Sequence, residues 1–385
     1  MRKVLRAIAG LLITLVGIAV LVIIGRHVSS NDYVEYWSSG QLLVHGANPY
    51  AGPSILALEK SQGFSAGSPL IMLNPPWSLF MVAPLGFCSP LIGLILWIAI
   101  AAGCVLASLV VLGIPPKHRT IAFLFTPVLA TFSMQQSSPL MLLGFALFLR
   151  FHRSRPFLAG ASLLLMAIKP HLFLVFWMVL LADCVYRRSV RILAGFASSL
   201  ACSSLFSTLL VPHVWQDYFA LMRGSGLDKD YFPTLPTMVR VLIDVRLAWL
   251  ALIPSVLAII WGVAYYWSKR SCWDWGRNGR SVMLVTVLTS PYGWLSDQIV
   301  LLPAVTSTLE SSPRRFSMEI LTAINFAALF AFCMRSQLCM WIPLAWFVWY
   351  LYAARTAVDS YHAGLEWQGH PQSAMPTFSS EDGTD

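Results

Sequence analysis

From about Leu70 onward the chain is a succession of apolar segments separated by brief polar breaks. They run roughly over 88–113, 120–134, 138–149, 157–168, 171–185, 192–211, 247–267, 281–294, 299–309, 316–333 and 340–354. Such a chain lacks the residues to build a water-facing surface around so many apolar segments. Charged residues make up 11% of the chain, against about 25% in soluble proteins, while A, V, I, L, M, F, W, Y and C make up 57%. A soluble globule, a disordered chain and a nucleic-acid-binding protein are therefore excluded. Several segments are shorter than the roughly 20 residues a lone span needs, so broken or re-entrant helices are expected. The predicted fold class is all-α, a multipass transmembrane bundle of about 10 to 13 helices.

The formal charge of +9 is carried by short basic clusters between the apolar runs, which reads as orientation in a bilayer. Arg2, Lys3 and Arg6 precede an uncharged stretch from Ala7 to Gly25, long enough to cross roughly 30 Å of hydrocarbon. No small-x-small cleavage site follows it, which favours a retained first helix with a cytoplasmic N-terminus over a signal peptide. Lys117–Arg119, Arg150–Arg155, Arg187–Arg191, Lys269–Arg280 and Arg314–Arg315 are then expected in the cytoplasm. This creates a parity conflict, because two apolar runs, 71–87 and 88–113, precede Lys117. Either the proline-broken run 74–84 dips in without crossing, or one basic loop lies outside.

The predicted organisation is one membrane domain over 1–357, with a first outer loop at 26–70 and a second at 212–236. A polar, aperiodic tail over 358–385 is read as a disordered cytoplasmic end. No repeat with inverted halves is visible. The seven cysteines form no C-x-x-C, and the expectation for Cys333 and Cys339 is that they could pair across a short loop.

The first outer loop carries most of the chemistry. Tyr33, Tyr36, Trp37, Gly40, Leu43 and Val44 fall at helical spacing, predicting a short amphipathic helix with its aromatic side at headgroup depth. Asp32 stands at its start. A partly desolvated carboxylate there suits a general base acting on a lipid-delivered substrate, but Asp32 followed by Glu35 is equally a helix-capping pattern. The stretch from Gly46 to Tyr50, with Asn48 before Pro49, reads as a turn. Asn74-Pro75-Pro76-Trp77 opens the next apolar run.

Lys169-Pro170-His171 interrupts an apolar stretch, where an ammonium is costly; it either holds an anionic group such as a phosphate or snorkels. His171 could assist or be structural. Gln135 and Gln136 could hydrogen-bond a sugar or serve as a connector. From Ser290 to Gln298 the chain sets Tyr292, Trp294 and Asp297 between two apolar runs, as a sugar-binding surface or an aromatic belt. Asp228-Lys229-Asp230 has the spacing of a cation site, but its lysine opposes one. Dispersed histidines and the absence of a phosphate loop argue against a zinc enzyme and an ATP-driven pump.

In order, these pieces resemble the polyprenol-phosphate-sugar-dependent glycosyltransferases of family 87, which have the multipass C-type glycosyltransferase fold. The matching features are the acidic loop around Asp32 and Glu35, the Gly46–Tyr50 turn, Asn74-Pro75-Pro76-Trp77, Ile168-Lys169-Pro170-His171, and Ser290-Pro291-Tyr292-Gly293-Trp294 with Asp297-Gln298 behind it. The resemblance spans Arg2 to roughly Tyr352. This chain departs from the family's pattern at Gln135-Gln136, where the family has Gly-Gln, and at Asn74, where it often has tyrosine. The resemblance implies inverting transfer of a hexose, mannose foremost, from a lipid monophosphate to a glycan or glycolipid acceptor on the outer face of a bacterial inner membrane. It implies Asp32 as base, Lys169 and His171 at the donor phosphate, and Glu35, Tyr36, Asn48, Tyr50, Gln136, Tyr292, Trp294 and Asp297 at the sugar and acceptor. Its expected partners are membrane lipids and the lipid-linked sugar, without metal, cofactor or nucleic acid. Glu35, Asp217 and Asp297 compete with Asp32 as base. Two other readings stay open: a flippase for a lipid-linked sugar using Lys169 and the glutamines as its path, and a scaffold in which Asp32 is only a cap.

Overall fold

The computed structural model describes residues 32–65, 67–224, 232–311, 315–334 and 337–353. The expected first helix over 7–25, the Asp228–Asp230 pair and the 358–385 tail lie outside these residues. Among the described residues the structure is all helical, without strands. Five helices are long and apolar enough to cross a membrane: Pro90–Val111, Pro170–Arg187, Val190–Leu210, Ala248–Cys272 and Phe316–Cys333. Ser138–Phe151, Pro156–Met166 and Cys339–Ala353 are shorter apolar helices. The expected 10 to 13 helices are roughly compatible with this all-helical structure.

In chain order the first helices are α1 (Asp32–Val44), α2 (Gly52–Ser61), α3 (Pro90–Val111), α4 (Pro116–Phe123), α5 (Thr126–Met134), α6 (Ser138–Phe151) and α7 (Pro156–Met166). There follow α8 (Leu174–Arg187), α9 (Val190–Leu210), α10 (Val214–Gly224), α11 (Leu235–Ile243), α12 (Leu252–Lys269), α13 (Trp275–Thr289), α14 (Leu302–Ser311) and α15 (Arg315–Cys333). The join between α4 and α5 shows how a break is tolerated among apolar helices, where every exposed backbone group needs a partner. Asn325 on α15 accepts the Thr126 N–H at 2.7 Å and donates to the Leu124 carbonyl at 3.0 Å, while the Thr126 hydroxyl donates to the Asn325 carbonyl at 2.8 Å.

The run 71–87 does not make a helix of spanning length. Pro75, Pro76 and Pro84 remove backbone donors, and the segment folds as two 3-10 turns, Pro76–Met81 and Ala83–Phe87. Among the described residues that leaves α3 as the helix of spanning length between the first loop and Lys117.

The α1 helix forms where the aromatic spacing placed it, but its surroundings differ from the expectation. Its aromatic side is packed into protein, not laid at headgroup depth. Tyr33, Tyr36 and Trp37 are buried; the Tyr33 hydroxyl donates to the Pro90 carbonyl at 2.7 Å and the Trp37 indole to the Cys88 carbonyl at 3.1 Å. The physical reason is that the 3-10 turns and the start of α3 present carbonyls that need donors. Gly40 and Gly86 bring the two backbones together: a Cβ on Gly40 would lie 2.4 Å from the Val82 carbonyl oxygen, and one on Gly86 2.2 Å from the Gly40 oxygen.

The helices set up two ends. At one, Arg153 pairs with Asp274 at 2.6 Å, and Arg187 donates to the Arg270 and Trp273 carbonyls at 3.4 and 2.9 Å. Three of the basic clusters predicted to share a side thus meet in space. Buried Asp183 ties this end together, pairing with Arg187 at 2.8 Å and accepting from the fully buried Trp275 indole at 2.7 Å. The opposite end, beyond the 14 residues of α8 and so about 21 Å along its axis, gathers Ser138, Lys169 and Asp297. Cys333 and Cys339, expected to be capable of pairing, are free thiols.

Candidate functional site

Lys169 reaches its place because α7 stops. Pro170 cannot donate, and it pushes the preceding residue out of helical conformation; Lys169 has φ −128° and ψ 74°. The residue is 7% exposed. The ammonium donates to Gln136 Oε1 and to Asp297 Oδ1, both at 2.8 Å. An ammonium has three donors, so among the described residues one remains for a ligand.

Gln136 follows Gln135, which ends α5 in the left-handed region at φ 57°, a conformation that costs a non-glycine residue free energy and persists where surroundings fix it. The Gln136 amide joins two ends of the first loop and the bundle. Its oxygen takes Lys169 and, at 3.2 Å, the Tyr36 hydroxyl; its nitrogen donates to Asp32 Oδ2. Among the described residues the bond Asp32 accepts comes from this side chain and not from the backbone of its own helix, and Oδ1 keeps its lone pairs. Asp32 and the Lys169 ammonium therefore lie within about 8 Å, two hydrogen bonds plus an amide.

Asp297 is 2% exposed and accepts three bonds: Ser138 Oγ at 2.6 Å and Lys169 on Oδ1, and the Trp294 backbone N–H at 2.9 Å on Oδ2. Trp294 donates its indole N–H to the Tyr292 hydroxyl at 3.1 Å, and the Tyr292 ring stands edge-on to His171 with centroids 5.0 Å apart. His171, Tyr292 and Trp294 thus form one wall joined to Lys169 through Asp297.

Both carboxylates of α1 are shifted upward by their surroundings. Burial raises the Asp32 carboxyl to about 6, against the lowering effects of the Gln136 bond and the Lys169 charge. Burial holds Glu35 well above the ordinary carboxylate range, and the Asp32 charge adds to that.

The structure brings Asp32, Tyr36, Gln136, Lys169 and Asp297 into one hydrogen-bonded network, with Glu35 electrostatically in reach and His171, Tyr292 and Trp294 alongside. Asn48 and Tyr50 lie outside it. Asn48 Oδ1 accepts the Tyr50 N–H at 2.8 Å, closing the turn, and the buried Tyr50 hydroxyl donates to the Asn74 carbonyl at 2.9 Å. Asp217 sits half-buried on α10, apart from these bonds. Among the described residues no three His, Cys, Asp or Glu side chains converge as a metal cage. Sequence reasoning placed Ser138 in the polar loop behind Gln136 but missed its bond to Asp297, because that partner is 159 residues away. Thr234, Gly293, Trp294 and Asp297 bound a small cavity beside the site, and an apolar groove of about 630 Å³, with Leu235 and Thr289 among its lining residues, runs between α11, α12, α13 and the 342–353 helix.

No curated protein and no solved structure matches the chain. A model of glycosyltransferase family 87 matches residues 72–291, more than half of the chain, including Gln136 and Lys169; Asp32 and Asp297 flank the matched region. With apolar helices of spanning length around this site, the chain belongs to glycosyltransferase family 87 and is a membrane glycosyltransferase.

Proposed function

We propose that the protein transfers a hexose, mannose foremost, from a polyprenyl-phosphate donor to an acceptor hydroxyl on the outer face of a bacterial inner membrane. The observation that carries this reading is the Gln136 amide, which holds a carboxylate and an ammonium at a separation that a sugar phosphate can span. Asp32 Oδ1 takes the proton of the acceptor hydroxyl as its oxygen bonds to C1 of the sugar. The bond from C1 to the phosphate oxygen breaks, and the electron pair leaves with the phosphate, whose charge the free Lys169 donor meets. Attack from the face opposite the phosphate inverts the anomeric centre. The scheme calls on no cofactor.

Asp297, with its oxygens engaged, serves in this reading to hold Lys169 in place rather than to bind sugar. His171, Tyr292 and Trp294 supply the aromatic wall for the sugar face, and Glu35 and Tyr36 lie on the acceptor side. The apolar groove beside Thr234 suits the carrier's hydrocarbon tail: Leu235, Leu257, Trp261, Leu284 and Leu288 are among its lining residues. The site lies at the end of the bundle opposite Arg153, Arg187 and Arg270, which by the positive-inside tendency is the extracytoplasmic end.

The test supplies the purified protein, in vesicles with native membrane extract, with sugar labelled either on polyprenyl phosphate or on a nucleotide. Label should pass to product from the polyprenyl phosphate and not from the nucleotide sugar, with mannose transferred faster than glucose or galactose. Direct transfer from a nucleotide sugar would overturn the donor assignment.

A further inference from the structure

We propose that Asn74 and Trp77 are positioning residues for Lys169, acting on the backbone that carries it; this rests on Lys169 holding the donor phosphate. Because α7 ends before Pro170, the carbonyls of Ala167 and Ile168 lose the partners a continuing helix would supply. Both are taken up by side chains from the 74–77 segment: Trp77 Nε1 donates to the Ala167 carbonyl at 2.7 Å and Asn74 Nδ2 to the Ile168 carbonyl at 2.9 Å. Two successive peptide groups directly before Lys169 are thereby fixed from one side.

The 74–77 segment is itself held. The Tyr50 hydroxyl donates to the Asn74 carbonyl at 2.9 Å, and Ser207 and Ser203 on α9 donate to the Pro76 and Trp77 carbonyls, each at 2.6 Å. Pro75 and Pro76 have no N–H to satisfy, so the segment can lie in this position without leaving donors unpaired. Asn74 is 6% exposed, and an unpaired Ile168 carbonyl at such a depth would be free to rotate toward other donors. The Lys169 ammonium would then lose the alignment that lets Gln136 and Asp297 take two of its donors and leave the third toward the site.

The experiment measures affinity of the purified full-length protein for farnesyl phosphate, a short-chain probe of the leaving lipid phosphate, together with thermal stability in detergent. Asn74→Ala and Trp77→Phe should each weaken binding about 2- to 10-fold, the range of one lost hydrogen bond, and Trp77→Phe keeps most of the ring packing should Asn74→Ala fail to fold. In a Lys169→Met background the same substitutions should weaken binding no further, because their effect passes through the ammonium. Full, undiminished losses in that background, or wild-type binding by both single variants, overturn the positioning role. Wild-type binding by Lys169→Met alone instead overturns the assignment of Lys169 to the phosphate, and the positioning role with it.

Discussion

Lys169 and Asp297 form an ion pair of 2.8 Å with side chains only 8% and 3% exposed. Buried pairs of this kind contribute little net stability, but removing one partner leaves an uncompensated charge. The pair therefore explains why an ammonium tolerates this position, and why its orientation is defined.

Asp297→Asn should accordingly lower stability by about 3 kcal/mol and reduce transfer, while Ser138→Ala, which removes one bond to the same carboxylate, should cost about 1 kcal/mol. Thermal unfolding in detergent alongside donor turnover reads both effects. Equal, near-zero losses would show that Asp297 does not anchor Lys169.

The pH dependence follows from Asp32. A base must be unprotonated to act, so turnover should fall as pH drops through about 6, where burial has raised its carboxyl, and level off above. Gln136→Leu removes a bond that lowers this value and Lys169→Met a charge that does the same, so each should move the acidic limb toward higher pH. A pH–rate profile with its limb near pH 4 would contradict this.

Much of this organisation is visible in the sequence. The apolar runs and basic clusters give the bundle and its two ends, and Asp32 and Lys169 stand out as charges that neither topology nor solubility requires. What remains hidden is who meets whom. Asn74 bonds a carbonyl 94 positions away and Ser138 a carboxylate 159 positions away, and no local pattern reports such pairings. The inward-facing aromatics of α1 look like an interfacial belt because Tyr and Trp serve both settings with the same spacing; the carbonyls at Cys88 and Pro90 decide between them.

Glu59 offers a separate test of the first loop. It is fully buried, and both its oxygens face the Leu70 N–H at 3.1 and 3.2 Å; burial raises its carboxyl to about 7. The folded form thus holds this proton more tightly than the unfolded form, so stability declines as pH rises from the ordinary glutamate range through about 7. Glu59→Gln keeps an acceptor and removes the charge, and should raise Tm more at pH 8 than at pH 5. An identical Tm difference at the two values would contradict the assignment.

Gly40→Val should displace α1 from the 3-10 turns, since the added Cβ would fall 2.4 Å from the Val82 oxygen. A destabilisation of about 1 to 3 kcal/mol is expected, with a disproportionate loss of turnover because α1 carries Asp32. Val at Gly103, where an added Cβ meets nothing within 4 Å, is the control and should leave both unchanged.

The central claim is that Asp32 deprotonates the acceptor, and single-turnover transfer by Asp32→Asn tests it most directly. The asparagine retains an oxygen for Gln136, so farnesyl phosphate should bind as in the wild type while the transfer rate falls about 10²- to 10⁴-fold. Transfer at the wild-type rate by a variant that binds the probe normally would contradict the account.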